Sequence, residues 1–114
     1  MKYDLMRVIE NVPVRARVAF TLALAGKAIP ALEGNAPAFK AAQNALAQCW
    51  QWVEDDEVEG IDLYRNHVES LAVQGSQLSD DVESMSMSAV ISAFYYAMWQ
   101  AFRHDLEVNR VNEG

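Results

Sequence analysis

The chain has 114 residues, 52% of them hydrophobic, with a net charge of −7 and a pI near 4.6. It is long enough for one domain with a single modest core, and its apolar content excludes a disordered chain. The negative charge disfavours nucleic acid and anionic membrane surfaces as partners, and a lone cysteine, Cys49, excludes an internal disulfide and points to a reducing compartment.

Alanine, leucine and methionine are plentiful, whereas glycine and proline are few, which favours helix. The N-terminus, with Asp4 and no long apolar run behind it, does not read as a signal peptide. A first helix is predicted over 4–10, with Leu5, Ile9 and Val12 on one side. Asn11 is a plausible N-cap for the second, and Pro13 falls in its first turn, where a missing donor costs little. Its buried stripe is Val14, Val18, Leu22, Ala25 and Ile29, and Pro30 ends it. Asn35 caps a third helix, again with proline (Pro37) in the first turn. There Phe39, Ala42, Leu46, Cys49, Trp50 and Val53 recur at helical spacing, and Trp52 lies off that stripe.

Asp56 and Glu59 have capping-box spacing and open a fourth helix through Ile61, Tyr64, Val68 and Leu71, with Gly75 as its stop. Asp80 and Glu83 repeat the spacing and open a long fifth helix to about Val108. Within it Ala89, Ala93, Ala97 and Ala101 form a small-residue row, beside Val90, Phe94, Met98 and Phe102. Residues 85–102 carry no charge, yet Ser86, Ser88, Ser92, Tyr95, Tyr96 and Gln100 make them too polar for a membrane span. The expectation is an all-α, single compact domain over 1–114, of about five helices around a central C-terminal helix.

The usual catalytic constellations are missing. A di-iron bundle needs Glu-x-x-His pairs, but Tyr64 stands three before His67 and Ala101 three before His104. The run Glu54–Glu59 lacks the calcium-loop order of acids around a glycine. Cys49 lies on the apolar stripe as a small hydrophobe, no Gly-x-Ser-x-Gly elbow surrounds Ser86 or Ser88, and no glycine-rich phosphate loop is present. Arg15 and Arg17 point to different sides of a helix and read as a solvated face, not an anion clamp. His104 with Asp105 reads as a surface pair near a helix end. Neither an enzyme nor a cofactor or metal is expected.

Charge is divided along the chain. Residues 1–53 hold six basic and three acidic residues, a net of +3, and residues 54–114 hold three basic and thirteen acidic, a net of −10. Five of those acids, Glu54, Asp55, Asp56, Glu57 and Glu59, follow directly on Cys49-Trp50-Gln51-Trp52-Val53. An acidic patch beside aromatics points to a basic partner, and a merely solvated turn is the alternative. Most of the aromatics suit the core. Trp52 and Tyr96, off the main stripes, are the expected surface anchors.

The segment Ala45-Leu46-Ala47-Gln48-Cys49-Trp50-Gln51-Trp52-Val53-Glu54, followed by Ile61-Asp62-Leu63-Tyr64, resembles small all-α immunity proteins of bacterial polymorphic-toxin systems. It is similar to their Leu-Ala-x-x-Trp-x-Trp pattern, then an acidic turn, then a Leu-Tyr helix, and the alanine-rich aromatic last helix agrees in character. The resemblance implies a cytoplasmic protein that binds and neutralises a cognate toxin effector domain, with no catalytic residues. Joined to the charge reading, it makes Trp52, Glu54, Asp55, Asp56, Glu57, Glu59, Asp62 and Tyr96 the expected partner-binding set. The other class is a generic helical interaction or adaptor module, with homodimerisation through the last helix left open. A large secreted toxin gene immediately upstream would discriminate the two.

Overall fold

A computed structural model describes residues 13–55 and 57–113, with side chains through 109. The predicted helix over 4–10 and the Asn11 cap lie outside the described residues. Those described form α1 (Val14–Gly26), a 3-10 turn (Ile29–Leu32), α2 (Ala36–Glu54), α3 (Gly60–Leu63), a π-helical turn (Tyr64–Val68), α4 (Glu69–Ser76) and α5 (Asp81–Glu113). The protein is all-α, and no strand occurs among the described residues.

Helix α1 buries Val18, Leu22 and Ala25 and ends at Gly26. Pro30 belongs to the 3-10 turn, which seats the fully buried Leu32. The Asn35 side chain accepts from the Ala38 amide at 3.2 Å, so one of the orphan donors at the start of α2 is satisfied.

The buried stripe of α2 is Ala38, Ala42, Ala45, Leu46, Cys49 and Trp52. Phe39, Trp50 and Val53 lie half-buried at its edge. The large apolar residues therefore suggest a stripe turned from the true one, because alanines mark the line of closest approach. Trp52 falls on that line and is 1% exposed. This corrects the expectation that it is a surface anchor.

The π-helical turn inserts an extra residue between α3 and α4 and rotates the faces of the two pieces. Leu63 and Leu71 are consequently buried while Tyr64 is exposed, against its expected place on the core stripe. At the start of α5 the Asp80 carboxylate accepts from the Glu83 amide at 3.0 Å, as the spacing predicts.

The last helix packs against α1, α2, α3, α4 and the 3-10 turn. Its buried face holds Met87, Val90, Ala93, Phe94, Ala97, Met98 and Ala101. Among the described residues it is not ringed by the others. Val82, Met85, Tyr95, Trp99 and Leu106 are exposed on the opposite side, where Ser88, Ala89 and Ser92 also lie. The lack of charge in 85–102 thus conceals a solvent-facing strip of serines and single apolar side chains. Among the described residues no helix is long and apolar enough to cross a membrane.

Candidate functional site

The acidic segment is the link between α2 and α3. Helix α2 stops at Glu54, and Asp55 turns to extended backbone with φ −152° and ψ 176°. The Asp55 carboxylate accepts from the Glu57 amide at 2.9 Å, an Asx turn that folds the link back on itself. Val58 is buried and pins it to the core. The Asp62 carboxylate then accepts from the Glu59 amide at 3.0 Å, the return half of a capping box. The box is thus Glu59 with Asp62, rather than the expected Asp56 with Glu59, and Asp56 itself lies outside the described residues. Glu54, Asp55, Glu57 and Glu59 are exposed, and Asp62 is half-buried. The acids here are of two kinds: Asp55 and, from α3, Asp62 hold the turn, while Glu54, at the end of α2, and Glu57 carry charge into solvent and make no side-chain hydrogen bond among the described residues.

Arg15 of α1 ties the link down. Its Nη1 donates to the Trp52 carbonyl, and at 3.1 Å to that of Asp55. Its guanidinium carbon lies 4.3 Å from the centroid of the Trp52 ring. A cation over an aromatic face, donating to the last carbonyls of a helix, stabilises the ring and the helix end together. Trp52 also meets His104, with ring centroids 6.3 Å apart and planes at 78°.

A cavity of about 200 Å³ opens here, lined by Arg15 and Arg17 from α1, Trp52 from α2, and Gln100, Arg103, His104 and Glu107 from α5. Arg15 and Arg17 therefore meet at one hollow, against the expectation of separate solvated faces. His104 also departs from the expected surface pair. It is half-buried in the body of α5, and Asp105 turns elsewhere, accepting from the Gly60 amide at 2.8 Å. No pattern in the linear sequence marks this cavity, since its residues come from three helices.

Tyr96 is half-buried and packed on the core, whereas its neighbours Tyr95 and Trp99 are the exposed aromatics of α5. Arg103 lies over Trp99, its guanidinium carbon 5.0 Å from the ring centroid. Between the π-helical turn and α2, His67 Nε2 donates to Gln48 Oε1 at 2.7 Å, and Asn66 donates to the same oxygen at 3.1 Å. Burial pushes the His67 pKa below its ordinary value. Burial likewise pushes the Cys49 thiol up to about 12, which leaves it protonated and a poor nucleophile. Among the described residues, no three His, Cys, Asp or Glu side chains gather where they could hold a metal ion.

A family model described as immunity protein Imm6 matches residues 16–110. No curated protein and no solved structure matches the chain.

Proposed function

The chain belongs to the Imm6 immunity-protein family, and on that premise we propose that it protects its producer by binding a cognate toxin effector domain in the cytoplasm. It acts by occlusion, not catalysis. The acidic link between α2 and α3 faces lysines or arginines that the toxin uses on its own substrate. The observation that carries this reading is the division of labour within the link. Asp55 and Asp62 accept hydrogen bonds that hold it folded, while Glu54 and Glu57 are exposed and free of that task. Charges held out on a stiff turn steer a basic partner to one orientation and raise the association rate. With Trp52 buried, the aromatic anchor falls to another ring. Trp99, 55% exposed beside the cavity residue Arg103, is the best placed.

The test is recovery of the toxin domain by pull-down and mass spectrometry, followed by challenge of cells that express it. The wild-type chain should protect them, and Glu54→Lys/Glu57→Lys should protect poorly while remaining folded. Equal protection by both would place the interface elsewhere. A second reading, a homodimer through α5, is favoured by the exposed strip of Val82, Met85, Trp99 and Leu106. Sedimentation of the purified chain decides it, since a monomer at micromolar concentration excludes that interface.

A further inference from the structure

The cavity between α1 and α5 is chemically unlike the rest of this acidic chain. Three of its nine basic residues, Arg15, Arg17 and Arg103, line it. Two of the lining side chains also carry a buried N–H that finds no acceptor among the described residues: Arg17 Nε and Trp52 Nε1. Trp52 is 1% exposed, so its unpaired donor lies within the protein. A buried donor without an acceptor is costly to the fold, and two at one hollow are better explained by a ligand that accepts from them. The ligand must be an acceptor, it must suit arginine, and it must be small enough for about 200 Å³. The first turn of α1, to which Val14 and Arg15 belong, adds the positive end of a helix dipole.

We propose that this cavity is an oxyanion site that takes one carboxylate. Arg17, through Nε and the adjacent Nη, presents the planar fork that matches the two oxygens of such a group. Arg103 closes the solvent side. Arg15 is already committed to the carbonyls of Trp52 and Asp55 and to the Trp52 ring, and it takes no part in holding the ligand. Glu107, at the same hollow, is the internal charge that the ligand must tolerate or displace.

The carboxylate is presented by an acidic side chain of the bound toxin domain. That source rests on the immunity reading, while the site itself does not. The acidic link begins at Asp55, whose carbonyl Arg15 holds, so a basic hollow and an acidic ridge adjoin. A partner docking here needs charges of both signs in the matching order, which fixes its register.

The experiment uses the purified chain and potassium acetate, with potassium chloride at equal ionic strength as the reference. Acetate should raise the melting temperature and change the tryptophan fluorescence saturably, with a half-point in the millimolar range. Arg17→Gln/Arg103→Gln should weaken that half-point at least about tenfold, the loss expected for charged hydrogen bonds, whereas Arg65→Gln on the π-helical turn should not. A wild-type response to acetate no greater than to chloride overturns the site, and this arm needs no variant to fold. A response unchanged in Arg17→Gln/Arg103→Gln overturns it too. Toxin co-purification is scored in parallel. If it survives where acetate binding is absent, the site fails and the immunity reading stands. Acetate binding with full toxin affinity in Arg17→Gln/Arg103→Gln keeps the site but overturns the toxin as its source.

Discussion

Arg15 stacks its guanidinium 4.3 Å from the centroid of the Trp52 ring while donating to the Trp52 carbonyl. One α1 side chain thereby covers the most deeply buried large aromatic of α2 and completes the end of that helix. It also grips Asp55, the first residue of the acidic link. Arg15→Ala should cost about 1–3 kcal/mol in urea unfolding, from the cation–π contact and the two lost bonds to carbonyls. Arg15→Lys should recover only part of that, because an ammonium keeps the charge but not the planar fork. Equal stability of Arg15→Lys and wild type would show that charge alone matters.

Gly60 fixes how closely α3 meets α5. A Cβ there would stand 2.8 Å from the Phe102 ring and 2.9 Å from the Phe102 backbone nitrogen. A ring can rotate away, but the backbone nitrogen belongs to a helix and cannot. The shift would also strain the bond from the Gly60 amide to Asp105. Gly60→Ala should lower stability by about 1–3 kcal/mol through overpacking. Gly26→Ala, at the end of α1 with nothing within 4 Å, should be neutral or slightly stabilising. Similar melting temperatures for the two variants would contradict the close approach.

The alanine row of α5 is a packing seam along only part of its length. Ala93, Ala97 and Ala101 are buried, but Ala89 is exposed. Ala93→Leu should destabilise by about 1–3 kcal/mol. Ala89→Leu should change stability by less than about 0.5 kcal/mol, as surface substitutions do. A neutral Ala93→Leu would mean that the seam can open without cost.

His67 makes stability depend on pH with a definite sign. Its folded pKa is lowered from 6.5 by burial, so the folded protein takes up the proton less readily than the unfolded chain. Its contribution is whole above about pH 6.5 and is lost as pH falls from there through the lower folded value. The difference in stability between wild type and His67→Gln, measured against pH, should shrink over that window. A difference that grows on acidification would reverse the assignment.

Helix class, the Asn35 and Asp80 caps and the long last helix are all legible in the residues, because capping and punctuation are local. Facing is less so. The expected stripe of α2 is right at Ala42, Leu46 and Cys49, but Phe39, Trp50 and Val53 pull it to one side and omit Trp52, whereas the packed line also takes in Ala38 and Ala45. Alanine carries little hydrophobic signal, so it hides the line along which helices touch. Tyr64 is misplaced for another reason: a π-helical turn shifts the register by one residue, and no composition rule announces it. The acids of the link are evident from sequence. Which of them build the turn and which face solvent emerges only from the bonds of Asp55 and Asp62. The arginine-lined cavity is illegible because tertiary packing gathers it from α1, α2 and α5.

If the acidic link steers a basic toxin domain, its charge must act on the rate of encounter. The most direct measurement is the association rate of that domain with the wild-type chain and with Glu54→Lys/Glu57→Lys, across a range of salt. Both side chains are exposed, so folded stability should change by less than about 0.5 kcal/mol. The double reversal should slow association about tenfold or more at low salt and flatten its salt dependence, with dissociation little altered. An unchanged association rate with an unchanged salt slope would contradict it.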